Sequence, residues 1–189
     1  LKERIVKEGK VLPGNIIKVD GFLNHRIDTG LLTRIAEEFG KYFNMDEVTM
    51  VLTAEASGIA LATAVATYFH KPMIFAKKAK SDNIEGGLYQ SDIYSYTYKK
   101  KVTLLVSKEW LSSDDKVLII DDFMANGEAM RGLCDIVTAA GATLLGIGCA
   151  VEKGFQGGGD RLRAAGVNLK SLAIIESAEP GNIVFRDDD

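Results

Sequence analysis

The chain has 189 residues, a length typical of one domain, and its 47% hydrophobic content is enough for a full core. A formal net charge of −3 provides no basic field for nucleic acid. No apolar run approaches the ~18 residues that a membrane span needs, and the first residues are charged and amphipathic, unlike a signal peptide. We therefore expect a soluble, cytoplasmic protein.

The cysteines and histidines do not form the spacing of a zinc site. Cys134 falls in a helical pattern and Cys149 in an apolar strand pattern, and His25 and His70 lie far apart in sequence. We therefore expect free, buried thiols, which suit a reducing compartment, and no zinc bound by these residues.

Hydrophobic periodicity predicts an alternation of helices and short strands along most of the chain. Residues 1–9 read as a short helix, and 11–19 as an extended segment interrupted by a turn at Pro13-Gly14-Asn15. Residues 20–28 fit no regular period and would join a small N-terminal lobe. Further helices are predicted at 31–43, at 59–69, from the loop after Asp122 to about 140, and at 161–165. Further strands are predicted at 48–53, 73–76, 117–121, 144–151, 172–175 and 182–185. This alternation predicts one α/β domain, spanning 1–189, with a doubly wound parallel sheet.

The segment 77–100 departs from this alternation. It is rich in lysine and tyrosine, poor in aliphatic residues and without a strong period, although 101–107 returns as a strand. Such a long segment inside a compact domain is usually functional or mobile. Its lysine clusters read as solvated loops, and its tyrosines would lie either in the core or at a dimer contact: Tyr89, Tyr94, Tyr96 and Tyr98.

The strongest signal is the stretch from Val117 to Met130. Four apolar residues predict a strand buried on both faces, and Asp121 and Asp122 follow at its carboxyl end, where open α/β sheets bind ligands. Residues 125–129 would turn into a helix, whose free first-turn N–H groups bind anions. Two hydroxyl-binding carboxylates beside a phosphate cradle are what a ribose 5-phosphate requires. The alternative is a plain strand end with one helix-capping carboxylate.

Other glycine-rich motifs are missing or weak. No P-loop pattern occurs, and no Gly-x-Gly-x-x-Gly follows a strand, which disfavours nucleotide hydrolysis and dinucleotide binding. The run Gly157-Gly158-Gly159 follows no strand directly and reads as a flexible turn.

Residues 117–129 resemble the ribose-phosphate motif of the type I phosphoribosyltransferases, with two acids, two variable residues and a small-residue loop. Further motifs in the same order extend the resemblance over nearly the whole chain: Leu1-Lys-x-Arg4, Ile17-Lys-Val-Asp20, Phe22-Leu-Asn-His25, Glu55-Ala-Ser-Gly-Ile59 and Val151-Glu-Lys-Gly-Phe155. Two departures concern the phosphate loop. Asn126 and Ala129 replace the hydroxyl-bearing residues of many members, and Ala125 stands where hypoxanthine-guanine enzymes carry an Asp.

The resemblance implies the type I phosphoribosyltransferase fold, with a hood formed mainly by residues 1–30 together with C-terminal residues, and a mobile loop within 77–100. It implies transfer of the 5-phosphoribosyl group from 5-phospho-α-D-ribose 1-diphosphate (PRPP) to xanthine, giving xanthosine 5'-phosphate (XMP) and diphosphate, in purine salvage. It further implies Mg²⁺ bound with PRPP and a homodimer, with no nucleic-acid or membrane partner.

The resemblance also assigns site residues. Asp121 and Asp122 would be catalytic residues that contact the ribose hydroxyls. The loop around the 5-phosphate would consist of Ala125, Asn126, Gly127, Glu128 and Ala129, and the pyrophosphate loop of Glu55, Ala56, Ser57 and Gly58. Purine-binding positions match Ile17, Asn24 and Lys153, and Phe155 would flank the ring. Without the resemblance, Lys153 reads as a surface lysine in a loop and Asn24 as a turn or cap residue.

Three other functions stay open from the sequence. A purine salvage transferase for guanine or hypoxanthine is the nearest. A PRPP-binding transcription regulator on the same fold is disfavoured, because the chain has no room for a DNA-binding domain and no basic recognition helix. A nonspecific Rossmann-like binding protein is disfavoured by the ordered set of motifs.

Overall fold

A computed structural model of the chain describes residues 1–78, 87–95 and 100–187. The helices are α1 (Lys2–Glu8), α2 (Thr29–Phe39), α3 (Gly58–Tyr68), α4 (Glu128–Ala139) and α5 (Gly158–Ala164). The strands are β1 (Lys10–Leu12), β2 (Ile16–Lys18), β3 (Met50–Ala54), β4 (Met73–Ala76), β5 (Leu88–Ser95), β6 (Lys100–Ser107), β7 (Lys116–Met124), β8 (Thr143–Lys153), β9 (Leu169–Glu179) and β10 (Asn182–Phe185). A π-helical turn covers Asp20–Asn24, and a 3-10 turn covers Gly154–Gln156.

Six of these strands form the central sheet, in the order β10-β9-β8-β7-β3-β4. All neighbours are parallel except β10, which runs antiparallel to β9 at the edge. The predicted doubly wound α/β sheet with an edge strand at 182–185 is therefore confirmed. Because β7 lies between β3 and β8, its carboxyl end is flanked on both sides by parallel strands, as at the binding edge of open α/β sheets.

Strand β7 separates two apolar cores. Leu118 and Ile120 belong to the core that contains α2 and α3, whereas Val117 and Ile119 belong to the core that contains α4. All four side chains are fully buried, and each such burial stabilises the fold by roughly 1.5–3 kcal/mol. The apolar run before Asp121 thus forms the doubly buried strand that its composition predicted.

Two strands are longer than predicted, and this changes the setting of the site. Strand β7 continues to Met124 because Phe123 and Met124 pair with residues of β8. Strand β8 in turn continues to Lys153, which pairs with Ile175 of β9. The prediction that Asp121 and Asp122 come at the end of their strand, and that Lys153 lies in a loop, was therefore wrong.

A second departure is the arm formed by β5 and β6. These strands pair antiparallel from Leu88–Ser107 to Ser95–Lys100, so the strand predicted at 101–107 is confirmed, whereas the aperiodic reading of 88–95 was wrong. The arm packs on α4, where Arg131 donates to the Asp92 carbonyl at 2.7 Å. The predicted mobile loop falls partly on residues 79–86 and 96–99, with Tyr96 and Tyr98, which lie outside the described residues.

The N-terminal segment covers one edge of the larger core. The predicted turn at residues 13–15 joins β1 and β2 into a hairpin, and the irregular stretch at 20–28 contains the π-helical turn. Phe22 and Leu23 in that turn are fully buried, and the Lys2 ammonium lies 5.8 Å from the Phe185 ring centroid. These contacts join the first residues to the C-terminal strand. A hood made of residues 1–30 and C-terminal residues stays a prediction.

The glycine run predicted to be a flexible turn is instead the start of a helix. Gly157 has a positive φ of 68°, and α5 begins at Gly158, three residues before the predicted start. Gly158 and Gly159 are buried. A Cβ on Gly159 would lie 2.0 Å from Oε1 of Glu152, so this position cannot carry a side chain without moving that carboxylate.

Both cysteines are free thiols, as predicted. Cys149 is buried in β8, whereas Cys134 on α4 is only partly buried. Burial raises the pKa of Cys134 to about 11 and that of Cys149 well above its usual value, so both thiols are protonated near neutral pH.

The close approach of the β5–β6 arm to α4 predicts that Gly132→Ala destabilises the fold, although alanine favours helices. A Cβ at this helical position would lie 2.5 Å from the Ile93 Cγ2 atom and 2.9 Å from a Leu104 methyl. Helix propensity alone would make Gly132→Ala stabilising by about 1 kcal/mol. We expect instead a loss of about 1–3 kcal/mol in urea unfolding, because Ile93 is β-branched and cannot turn aside at low cost.

A double-mutant cycle isolates that contact. In an Ile93→Ala background, which removes the clashing methyl, Gly132→Ala should cost less than in the wild type. A stabilising Gly132→Ala in the wild-type background would contradict the close approach of the arm.

Candidate active site

The centre of the site is the carboxylate pair inside β7. Asp121 is 7% exposed and Asp122 1%, and the Asp122 N–H donates to Asp121 Oδ1 at 3.0 Å. Burial, followed by the charge of Asp122, raises the pKa of Asp121 well above its usual value. The pair is therefore held in a conformation that disfavours two full charges in the absence of donors or cations.

Asp122 takes its hydrogen bonds from two distant segments. Asn24, in the π-helical turn, donates from Nδ2 to Oδ2 at 2.7 Å, and Ser57 donates from Oγ to Oδ1 at 2.9 Å. One residue from each of three predicted groups, the base-binding, pyrophosphate and ribose groups, thus meets at a single carboxylate. The sequence predicted these groups separately, and the fold brings them together.

The predicted phosphate loop lies between β7 and α4. Gly127 has a positive φ of 81° and immediately precedes the first helical residue, Glu128. The Glu128 N–H donates to Asn126 Oδ1 at 3.4 Å, which closes a tight turn at the helix entrance. The free N–H groups of the first helical turn therefore face the space enclosed by this loop.

A second layer supports the loop from behind. A Cβ on Gly158 would lie 2.5 Å from the Asn126 carbonyl carbon and 2.7 Å from the Gly127 nitrogen. Arg161 donates from Nη2 to the Asn126 carbonyl oxygen at 2.9 Å. This support was not predicted from the sequence, because a single arginine after a glycine run has no distinctive spacing.

The predicted pyrophosphate loop follows β3. Glu55 is tied to the end of β4, because its N–H donates to the Ala76 carbonyl and its Oε1 accepts from the Lys78 N–H at 2.6 Å. The peptide between Glu55 and Ala56 is cis. A Cβ on Gly58 would lie 2.5 Å from Asp121 Oδ1, so this glycine is required by packing beneath the carboxylate pair.

Lys153 stands on the other side of the site. As the last residue of β8 it donates from Nζ to the Asn15 carbonyl at 3.0 Å, and Nζ lies 5.6 Å from the Phe123 ring centroid. Partial burial lowers the pKa of Lys153. Ile17 is 7% exposed and belongs to the core, while its neighbour Ile16 lines the cleft. The structure thus places Lys153 at the cleft but does not place Ile17 among the cleft-lining residues.

A cleft of about 1210 Å³ lies at this edge of the sheet, and Asn24, Glu55 and Asp122 are not among its lining residues. Its lining includes all five residues of the phosphate loop, together with Ser57, Asp121 and Lys153. Two more cations line it, Lys78 and Arg161. The volume and the mixture of cations, carboxylates and a helix N-terminus suit a ligand with more than one anionic group.

No three His, Cys, Asp or Glu side chains in the described ranges form a cluster that could by itself hold a metal ion. No helix among them is long and apolar enough to cross a membrane.

Comparison with known proteins identifies the class. A family model described as the phosphoribosyl transferase domain matches residues 25–165, and the chain belongs to this family. APRTase from Giardia lamblia shares the fold over 91% of this chain and 96% of that chain, with a TM-score of 0.77 at 22% identity. Adenine phosphoribosyl transferase from Trypanosoma brucei covers 92% and 78%, with a TM-score of 0.73 at 21% identity. The predicted type I phosphoribosyltransferase fold is therefore confirmed.

Relatives with higher sequence identity to this chain have names that specify the purine base. Xanthine phosphoribosyltransferase from Lachnoclostridium phytofermentans is 52% identical over 190 aligned residues, covering 100% of this chain and 98% of that protein. Xanthine phosphoribosyltransferase from Bifidobacterium animalis subsp. lactis is 51% identical, with 98% of each chain covered.

The raised pKa of Asp121 predicts a gain in stability when its charge is removed. The ionised carboxylate costs stability above the folded-state pKa, and this cost disappears below the unfolded-state pKa of about 3.9. Asp121→Asn, which can still accept from the Asp122 N–H, should therefore raise Tm, by roughly 2–4 °C per kcal/mol recovered. The gain should be larger at pH 8 than at pH 5, with a loss of activity.

Asp114→Asn is the matched control for this measurement, because Asp114 is an exposed carboxylate outside the cleft. It should change Tm little at either pH. A lower Tm for Asp121→Asn at pH 8 would show that the ionised carboxylate stabilises the fold.

Proposed function

We propose that this protein transfers the 5-phosphoribosyl group of PRPP to xanthine, giving XMP and diphosphate, in purine salvage. The full-length similarity to proteins named xanthine phosphoribosyltransferase supports this choice of base. The observation that carries the chemistry is a cleft lined by the phosphate loop, by Asp121 and by Lys153, with Asp122 buried next to Asp121. A homodimer, implied by the resemblance, and a cytoplasmic location, expected from the sequence, belong to the same proposal.

PRPP would lie across the carboxyl edge of the sheet. Residues 125–129 would surround the 5-phosphate with backbone N–H groups, because their side chains are small or point elsewhere. Asp121 and Asp122 would accept hydrogen bonds from the ribose hydroxyls. Residues 55–58 would bind the diphosphate, with Ser57 at the cleft surface.

The purine would lie between Lys153 and the N-terminal segment. A lysine ammonium donates to a carbonyl oxygen but meets the amino group of adenine unfavourably, which selects oxopurines. Asn24 would contribute its amide from the opposite side, close to Asp122. Ile17 would support the base from beneath, as part of the apolar core under it. Residues 1–30 would thus serve as the hood of a single domain.

In the reaction, a nitrogen of xanthine forms a bond to ribose C1 as the bond from C1 to the diphosphate oxygen breaks. The leaving group takes the bonding electrons, and the base loses its N–H proton. Positive charge develops on the ribose ring in the transition state. The protein would contribute positioning, the nearby carboxylates and exclusion of water.

Mg²⁺ fits the donor set of this site. Asp121 and Asp122 offer hard carboxylate oxygens of the kind that Mg²⁺ prefers, and such an ion usually retains water and substrate phosphate oxygens as ligands. When bound with PRPP, it would neutralise the charge of the diphosphate.

A purine panel tests the proposed activity. Purified protein with Mg²⁺ and labelled PRPP should form XMP from xanthine with a higher kcat/KM than for guanine, hypoxanthine or adenine. Asp122→Asn should abolish product formation while circular dichroism shows an intact fold, since this residue joins three parts of the site. A higher kcat/KM with guanine or hypoxanthine would refute xanthine as the substrate.

Lys153→Ala tests recognition of the base separately from that of the sugar. Loss of one charge-assisted hydrogen bond should raise KM for xanthine about 10-fold to 100-fold, while KM for PRPP changes less than about threefold. Lys116→Ala is the matched control, because Lys116 is an exposed lysine at the opposite end of β7. Equal increases of both KM values would exclude a specific role in base recognition.

A further inference from the structure

The proposed phosphate loop has an unfavourable charge for its ligand. None of the side chains from residue 125 to 129 is a cation, and one of them, Glu128, is an acid. A phosphate monoester carries a charge of about −1.5 to −2 near pH 7. Backbone N–H groups supply partial charge only, so a full positive charge is needed close to the loop.

Glu128 makes this requirement stronger. Burial raises the pKa of Glu128, but hydrogen bonds from Arg131 and from the Tyr94 N–H, together with the charge of Arg161, outweigh burial and lower it. The carboxylate is therefore ionised at neutral pH. Its contacts with Arg131 and Tyr94 turn it toward the β5–β6 arm, but its negative charge still lies within one helical turn of the loop.

Arg161 is a cation that contacts the backbone of this loop. It lines the cleft, donates from Nη2 to the Asn126 carbonyl at 2.9 Å and from Nη1 to the Gln156 carbonyl at 3.4 Å. A guanidinium has five N–H donors, so these two bonds orient the group and leave donors for another acceptor. Its helix starts at the Gly157 turn, whose carbonyl accepts from the Arg161 N–H.

The other described cations of the cleft lie beside other parts of the site, and the charge of Lys78 acts on Asp121. Lys153 donates to Asn15 at the base side of the site. The backbone of Lys78 is tied to Glu55, in the predicted pyrophosphate loop. Among the described cleft-lining residues, Arg161 is therefore the positively charged group with a hydrogen bond to the phosphate loop.

We propose that Arg161 is a phosphate-binding residue that contacts the 5-phosphate of the ribose substrate from the α5 side of the cleft. This inference deepens the proposed function and rests on it. The guanidinium supplies the positive charge that the loop side chains lack. Its hydrogen bond to the Asn126 carbonyl also fixes the loop backbone. Arginine suits this role because its planar fork matches phosphate oxygens.

Isothermal titration of ribose 5-phosphate and of inorganic diphosphate with Mg²⁺, both without any base, tests this role. Arg161→Gln should weaken ribose 5-phosphate binding about 10-fold to 100-fold and change diphosphate binding less than about twofold. Arg161→Lys, which keeps the charge but not the fork, should fall between wild type and Arg161→Gln. Arg34→Gln, an exposed arginine on α2 outside the cleft, should bind both ligands as the wild type does.

Wild-type affinity of Arg161→Gln for ribose 5-phosphate would overturn the proposal. So would equal losses for the two ligands, which indicate a distorted site, or an equal loss in Arg34→Gln, which indicates a net-charge effect. Because no base is present, a wild-type protein that binds ribose 5-phosphate but forms no XMP would refute only the proposed base. A wild-type protein that does not bind ribose 5-phosphate would refute both proposals.

Discussion

A buried carboxylate needs hydrogen-bond donors, and Asp122 obtains them from two segments that are distant in the chain. Asn24 lies 98 residues before it and Ser57 lies 65 residues before it. Leaving such a charge without donors costs several kcal/mol, so the N-terminal turn and the β3–α3 turn are held at the carboxyl edge by the same bonds that assemble the site. The position of the N-terminal turn therefore depends on Asp122 as well as on apolar packing.

Strand β8, which neighbours β7, ends in two charged residues whose side chains lie on opposite sides of the sheet. Glu152 is fully buried and paired with Arg163, whose two terminal nitrogens lie 3.1 and 2.7 Å from its oxygens, and it also accepts from Ser171. Lys153, the next residue, reaches the cleft instead. Because successive side chains of a strand point to opposite faces, one anion anchors α5 while the adjacent cation faces the ligand space. The charge that anchors α5 and the charge that lines the cleft thus belong to adjacent residues.

Much of this arrangement was predictable from sequence, because burial and periodicity are local. The doubly buried run before Asp121 and the helices with apolar stripes follow directly from composition. The exceptions depend on partners that sequence spacing does not reveal. Strand β7 continues through two acids because β8 pairs with it beyond them. Within the described ranges, strand β5 pairs with β6 and packs on α4, and α4 provides Gly132 for that approach.

The candidate site was likewise predicted from the sequence only in part. Residue types predicted a phosphate loop beside two carboxylates, and the loop and Asp121 line the cleft whereas Asp122 is buried. Arg161 was not predicted, because a single arginine in a polar helix has no distinctive spacing. Ile17 was assigned by resemblance, whereas the alternation of the short strand β2 buries it and exposes Ile16.

The tight contact between Gly158 and the phosphate loop has a consequence for modular exchange within the family. The loop backbone and the start of α5 approach so closely that neither has room to change alone. A chimaera that received only residues 125–129 from a relative would keep a foreign surface behind the loop. The smallest transferable unit is therefore discontinuous, and it includes the loop together with residues 157–163 and Glu152, their buried partner.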